Sequence, residues 1–134
     1  MNTSVYYIFL DDERWPKNVT WVNLPPFPWT VVRNYKDFVS TIDSLGMPLF
    51  ISFDHDLGAE HYNPAMYRNN KEDYNRLYDT FKDKTGYDCA KWAVEYCMDN
   101  RLKFPEYAVH SMNPIGKENI ESYIENYKRA ASLL

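Results

Sequence analysis

Phe50-Ile51-Ser52-Phe53-Asp54-His55-Asp56-Leu57-Gly58 is the stretch whose reading decides the fold. Its apolar start, bounded by Pro48 and Gly58, reads as a strand buried on both faces, and it ends in two carboxylates flanking an imidazole. In open α/β sheets ligands bind beyond the carboxyl ends of the strands, so polar residues placed there mark a site. The pattern recurs on either side. Val5 to Leu10 runs into Asp11-Asp12-Glu13-Arg14, and Tyr107 to Val109 runs into His110-Ser111-Met112-Asn113.

Outward from these strands the chain alternates. Val5 to Leu10 is the first strand, and Trp15 to Trp29, with Pro16, Pro25, Pro26 and Pro28, is a loop over one side of the sheet. Thr30 to Arg33 is a brief strand. Asn34 with Asp37 three residues on starts a helix whose apolar positions are Phe38, Ile42 and Leu45 and whose end is Gly46. The stretch from Ala59 to Lys84, with Tyr62, Tyr67, Tyr74 and Tyr78, reads as a polar, aromatic insert beside the site. Thr85 to Asp88 opens a helix with an apolar stripe of Ala90, Ala93, Val94, Cys97 and Met98. Glu106 to His110 is a strand, and Asn113-Pro114 caps a last helix facing inward through Ile120, Tyr123, Ile124 and Tyr127. The expected fold is a single α/β domain, a three-layer sandwich around about four parallel strands.

Composition narrows the function classes. A chain of 134 residues is long enough to bury a core without metal or disulfide staples. A net charge of -4 and a pI near 5.3 argue against a general duplex-binding surface. Cys89 and Cys97, two helical turns and roughly 12 Å apart, read as reduced core residues. No charged-then-apolar leader and no run of roughly 20 apolar residues is seen, so the expectation is a cytoplasmic protein with no membrane partner.

Parallel strands point their carboxyl ends the same way, so Asp11 to Glu13, Asp54-His55-Asp56 and His110-Ser111 are expected to meet along one edge. The helix start at Gly86 and the turn Asn113 to Gly116 would add backbone N–H groups suited to a phosphate. Each signal has a structural reading too. Asp12 and Glu13 alone fit a cap or a solvated loop equally well, and His61, with no strand before it, is given no role. Asn119, beside the inward-facing Ile120, either turns toward the site or serves as a local cap. His55 and His110 weigh toward chemistry, because two of three histidines fall at equivalent strand ends. Alternation adds a constraint: in an extended strand Asp54 and Asp56 share a face and His55 takes the other, so a catalytic His55 requires a turn, for which Gly58 is placed.

Leu10-Asp11-Asp12-Glu13-Arg14 with Pro16, Phe53-Asp54-His55-Asp56-Leu57-Gly58, Thr85-Gly86-Tyr87-Asp88, and His110-Ser111-Met112-Asn113-Pro114-Ile115-Gly116 with Asn119-Ile120 together resemble the cyclic-phosphate processing receiver family. That family is similar to response-regulator receiver domains. The resemblance implies a receiver or flavodoxin-like fold and action on cyclic phosphates or nucleotide-derived signals, often in bacterial or phage conflict settings. It matches Asp11 and Asp12 to the acidic pair that holds Mg²⁺ in receivers, Asp54 to the phospho-accepting aspartate, and Ser111 to the hydroxyl after the fourth strand. The fifth strand and its lysine are missing; Lys117 sits in the turn into the final helix. That departure weakens a phosphorelay role.

The leading expectation is a phosphodiesterase for a cyclic phosphate, carried by a nucleotide or an RNA end. In one version Asp11, Asp12, Asp54 and Asp56 bind Mg²⁺ or Mn²⁺. In the other no metal is needed: His55 and His110 act as general base and acid, with Arg14, Ser111 and the Asn113 to Gly116 amides on the non-bridging oxygens. Four acids and two imidazoles also suit a transition metal. The alternative class is a module that captures a cyclic nucleotide without cleaving it.

Overall fold

The computed structural model describes residues 5–57 and 84–132. The Ala59 to Lys84 insert, with its tyrosines and His61, thus lies outside the described residues except for Lys84, as does Gly58. Four strands form one parallel sheet: β1 (Tyr7–Leu10), β2 (Thr30–Val32), β3 (Phe50–Phe53) and β4 (Glu106–Val109), in the order β2-β1-β3-β4. Three helices are described, α1 (Tyr35–Leu45), α2 (Gly86–Asn100) and α3 (Pro114–Ser132). The architecture is that of a receiver or flavodoxin-like α/β fold, and among the described residues no strand follows β4.

The helix boundaries follow the side chains that stop them. Asn34 accepts a hydrogen bond from the Asp37 N–H at 2.8 Å to start α1, and Gly46, at φ 85°, ends it in a conformation open to glycine. Thr85 and Asp88 bond each other's backbone N–H groups at the head of α2, a reciprocal cap. Arg101 closes α2 in the left-handed region.

Alternation along the strands sorts side chains into two unlike faces. Ile8, Leu10, Val32, Ile51, Phe53 and Val109 join the core formed with α1, α2 and α3, through Phe38, Ile42, Ala90, Ala93, Cys97, Ile120 and Ile124. Tyr7, Phe9 and Phe50 point the other way, into aromatic rings of the proline-rich segment: Phe27 stacks on Tyr7 at 4.0 Å, and Trp29 meets Phe9 edge-on at 6.2 Å. That segment forms the third layer. Its prolines leave only a short 3₁₀ turn at Pro16–Asn18, so aromatic rings rather than a helix cover the sheet there.

Two positions expected inside are outside. Met98 and Leu45 are 57% and 41% exposed, because each lies near the far end of its helix where no other element among the described residues covers it. Cys89 and Cys97 are free and buried, and burial pushes the Cys97 thiol up to about 12. No helix among the described residues is long and apolar enough to cross a membrane.

Gly86 fixes how closely α2 abuts β3. Its N–H donates to the His55 carbonyl at 2.7 Å, and a methyl group at its Cα would overlap the Asp54 carbonyl. Backbone cannot yield as a flexible side chain can. Gly86→Ala is therefore expected to lower unfolding free energy by about 2–3 kcal/mol in urea titration, the upper part of the range for overpacking; an unchanged midpoint would show that α2 is free to shift.

Candidate functional site

Leu10, Phe53 and Val109 stand in register across the sheet, so the next residue of each strand falls on one further rung. Asp54 N–H donates to the Leu10 carbonyl at 3.0 Å, His110 N–H to the Phe53 carbonyl at 2.9 Å, and Asp11 N–H to the Val32 carbonyl at 3.1 Å. Asp11, Asp54 and His110 thereby lie side by side, with Asp54 in the middle, one step past the apolar rung. One carboxylate oxygen from each aspartate and a ring nitrogen of His110 lie within 4.8 Å of one another. All three side chains are buried.

Asp11 is held from several sides. Its Oδ1 accepts the N–H groups of Glu13 and Arg14, at 3.0 and 2.8 Å, while its Oδ2 meets His110 Nε2 at 3.0 Å and Arg14 Nη1 at 3.5 Å. Burial raises its pKa, but these donors, His110 first among them, outweigh it and leave the carboxyl below its ordinary value. An ionised Asp11 can only accept, so His110 carries its proton on Nε2 and takes the Ser52 hydroxyl on Nδ1, at 2.6 Å. Burial lowers the His110 pKa, which keeps the ring neutral. The ring also stacks flat on Phe9 at 4.5 Å. Asp11, His110 and Ser52 are linked like a hydrolase triad, but Ser52 is fully buried inside β3, so the chain orients Asp11 rather than offering a nucleophile.

Asp54 is the unsettled member. Its Oδ1 accepts the His55 N–H at 2.9 Å, while its Oδ2 is buried with no hydrogen-bond partner among the described residues. Burial first, then the charges of Asp11 and Asp56, push its pKa up to about 8. A buried, unpaired carboxylate oxygen beside a second carboxylate is either protonated or neutralised by a cation, and hard oxygen donors suit Mg²⁺ or Mn²⁺. The residues present fit such an ion, with Asp11 and Asp54 as the donors; His110, both ring nitrogens engaged, positions Asp11.

Several expected members are placed elsewhere. His55 follows strand alternation: its ring packs against Gly116 of α3, on the helix side, whereas His110 lies against Phe9 on the aromatic side. Both imidazoles are fully buried, so they do not form an exposed acid and base pair. Asp56, expected among metal ligands, instead binds His55 Nδ1 at 2.8 Å and the Asn113 amide at 3.2 Å, outside the Asp11, Asp54 and His110 group. Asp12, half-buried next to Asp11, is also outside that group.

Three of the amides read as anion-binding, those of Gly86, Asn113 and Gly116, are spent inside the fold. Gly86 N–H goes to His55, Asn113 N–H to Ser111 Oγ at 3.1 Å, and Gly116 N–H to Asn113 Oδ1 at 3.0 Å. Ser111 thus serves the turn into α3, Lys117 N–H closes on the Asn113 carbonyl, and Asn119 is half-buried on the helix.

Arg14 is the charged group at the mouth, with Nη2 3.5 Å from the sulfur of exposed Met112 and its guanidinium 5.1 Å from the Trp21 ring centre. Trp21 donates its indole N–H to the His110 carbonyl at 2.7 Å, and Arg33 donates to the Asp11 and Arg14 carbonyls. The sequence reading passed over Ser52, Trp21 and Arg33. Ser52 had a signal, being the one polar residue in the apolar run of β3; Trp21 and Arg33 had none.

The family model for the cyclic-phosphate processing receiver domain matches residues 6–126. No curated protein and no solved structure matches the chain with significance.

Two outcomes follow from the buried network. Ser52→Ala leaves His110 Nδ1 without its donor and is expected to cost about 1–3 kcal/mol of stability in urea titration; a cost near zero would mean that the hydroxyl carries no such bond. In chelator-treated protein Asp54 ionises at about 8 when folded and at about 4 when unfolded. The folded state thus holds the proton more tightly, and the stability it confers is full below about pH 4 and lost as pH rises through 8. Wild type should lose stability from pH 5 to 9 more steeply than Asp54→Asn, and equal slopes would show an ordinary carboxyl.

Proposed function

The chain belongs to the cyclic-phosphate processing receiver domain family, and from that premise we propose that it is a divalent-cation-dependent phosphodiesterase opening a cyclic phosphate ester. The observation that carries this reading is the buried, partnerless Oδ2 of Asp54 set beside Asp11. Asp11 and Asp54 would hold Mg²⁺ or Mn²⁺, with Asp12 at the rim. When bound, such an ion polarises a phosphoryl oxygen and lowers the pKa of water.

The chain's own residues supply the rest. His110, neutral and locked between Ser52 and Asp11, keeps the Asp11 carboxylate ionised and aimed. Arg14, partly exposed beside Asp11, faces the non-bridging oxygens of an incoming phosphate, where a planar guanidinium can pair with two of them. Water adds to phosphorus, one ring P–O bond breaks, the proton passes to the departing alkoxide, and a phosphomonoester leaves.

The placement of the histidines argues against the metal-free two-histidine version: both ring nitrogens of His110 are engaged, by Ser52 and Asp11, and His55 lies on the opposite side of the sheet against Gly116, so the two rings do not flank one phosphorus. The phosphorelay reading loses support from the architecture, because among the described residues the chain passes from β4 into α3 without the strand that would carry a lysine to Asp54.

The test is incubation of purified protein with 2′,3′- and 3′,5′-cyclic nucleotides and cyclic oligonucleotides in Mg²⁺, Mn²⁺ or EDTA, resolved by chromatography. Ring-opened product should need the cation and fall by about 10³-fold in Asp54→Asn, equivalent to about 4 kcal/mol of transition-state stabilisation. Product that survives EDTA but disappears in His110→Ala would restore the two-histidine mechanism. Ligands bound yet recovered intact would make the protein a sequestering module.

A further inference from the structure

We propose that the open cleft along the proline-rich segment is a nucleobase pocket serving the carboxylate site, so that the ligand is a nucleotide rather than a simple cyclic ester; this rests on the cyclic-phosphate reading above. The cavity has a volume of about 650 Å³, within the range of small-molecule sites. It is lined by the aromatic residues Trp21, Phe27 and Trp29, with Lys17, Thr20 and Asn23 among them. Flat π faces combined with a few hydrogen-bonding groups match a base, which has a stacking surface and a polar edge.

Trp21 connects the cavity to the site. It lines the cavity, donates its indole N–H to the His110 carbonyl at 2.7 Å, and lies beneath the Arg14 guanidinium, which stands 3.5 Å from Asp11. A nucleotide with its base against Trp21 would therefore bring its phosphate past Arg14 toward Asp11 and Asp54. The Trp21 ring is 40% exposed, although packing it inward would bury apolar area.

The pocket is also built in advance. Pro16, Pro25 and Pro26 restrict the backbone around it, and Phe27 and Trp29 are anchored on Tyr7 and Phe9 of the sheet. Little ordering is left for a ligand to impose, which favours binding.

The experiment compares 2′,3′- and 3′,5′-cyclic AMP and GMP with a base-free ester, methyl riboside 2′,3′-cyclic phosphate. Binding to the full chain is followed by calorimetry and turnover by ³¹P NMR, for wild type, Trp21→Ala, Asn23→Ala and Asp54→Asn. At least one nucleotide should bind about tenfold or more tighter than the base-free ester, as stacking implies. That preference should shrink severalfold in Trp21→Ala and in Asn23→Ala, an exposed position whose change spares the fold, and should persist in Asp54→Asn. Equal binding of nucleotide and base-free ester, or a preference unchanged in both cavity variants, would overturn the pocket, and turnover of either ester would then leave the phosphodiesterase standing. A base preference lost in the cavity variants but without turnover in wild type would keep the pocket and remove the hydrolase. If no probe binds, both are wrong.

Discussion

Between the carboxylate of Asp11 and the charge of Asp56, the Asp54 side chain sits out of water with one oxygen bonded and the other alone. Much of the surrounding structure can be understood as holding that arrangement in place. Ser52 and Phe9 fix the His110 ring, His110 and two backbone N–H groups fix Asp11, and the ladder between β1, β3 and β4 fixes all three residues on one rung. A buried polar group without a partner costs free energy that packing elsewhere must offset. The apolar core beneath, from Ile8 and Phe53 to Ile120 and Ile124, supplies it.

The two faces of the sheet divide the labour. On the helix side, His55, Asp56 and Asn113 form a closed latch under α3, with Gly116 leaving room for the imidazole. Gly86 does the same for α2 against the backbone of Asp54 and His55. These contacts fix the end of β3 from below. On the other side aromatic rings take the place of helices, and they leave openings that close helix packing would fill. The carboxylate cluster therefore has a rigid floor and lies buried at the strand ends, with the partly exposed Arg14 beside Asp11.

Polar groups near the strand ends fall into two kinds that look alike as a string of letters. Asp54 Oδ2 and the Arg14 guanidinium have capacity to spare for a ligand, whereas Asp56, Ser111, Asn113, Gly86 and Gly116 use theirs within the fold. An amide at a helix start binds an anion only if no side chain has capped it, and Asn113 and Thr85 cap both helices here. The distinction depends on partners distant in sequence.

The sequence by itself determined the order of strands and helices, since apolar period, prolines and caps act over a few residues. It also placed Asp11, Asp54 and His110 at strand ends, because parallel topology sends every carboxyl end to one edge. Alternation alone pointed His55 away from Asp54. Only the tertiary structure decided that Asp11, Asp54 and His110 share a rung, because register is set by the pairing of β1 with β3 and of β3 with β4, which brings together Asp11 and His110, 99 residues apart. Likewise only the fold brought Ser52 and Trp21 to His110 and laid aromatic rings over the sheet. A hydrogen bond or a stacked ring is a relation between positions in space, and residue order fixes that relation only once the chain has closed on itself.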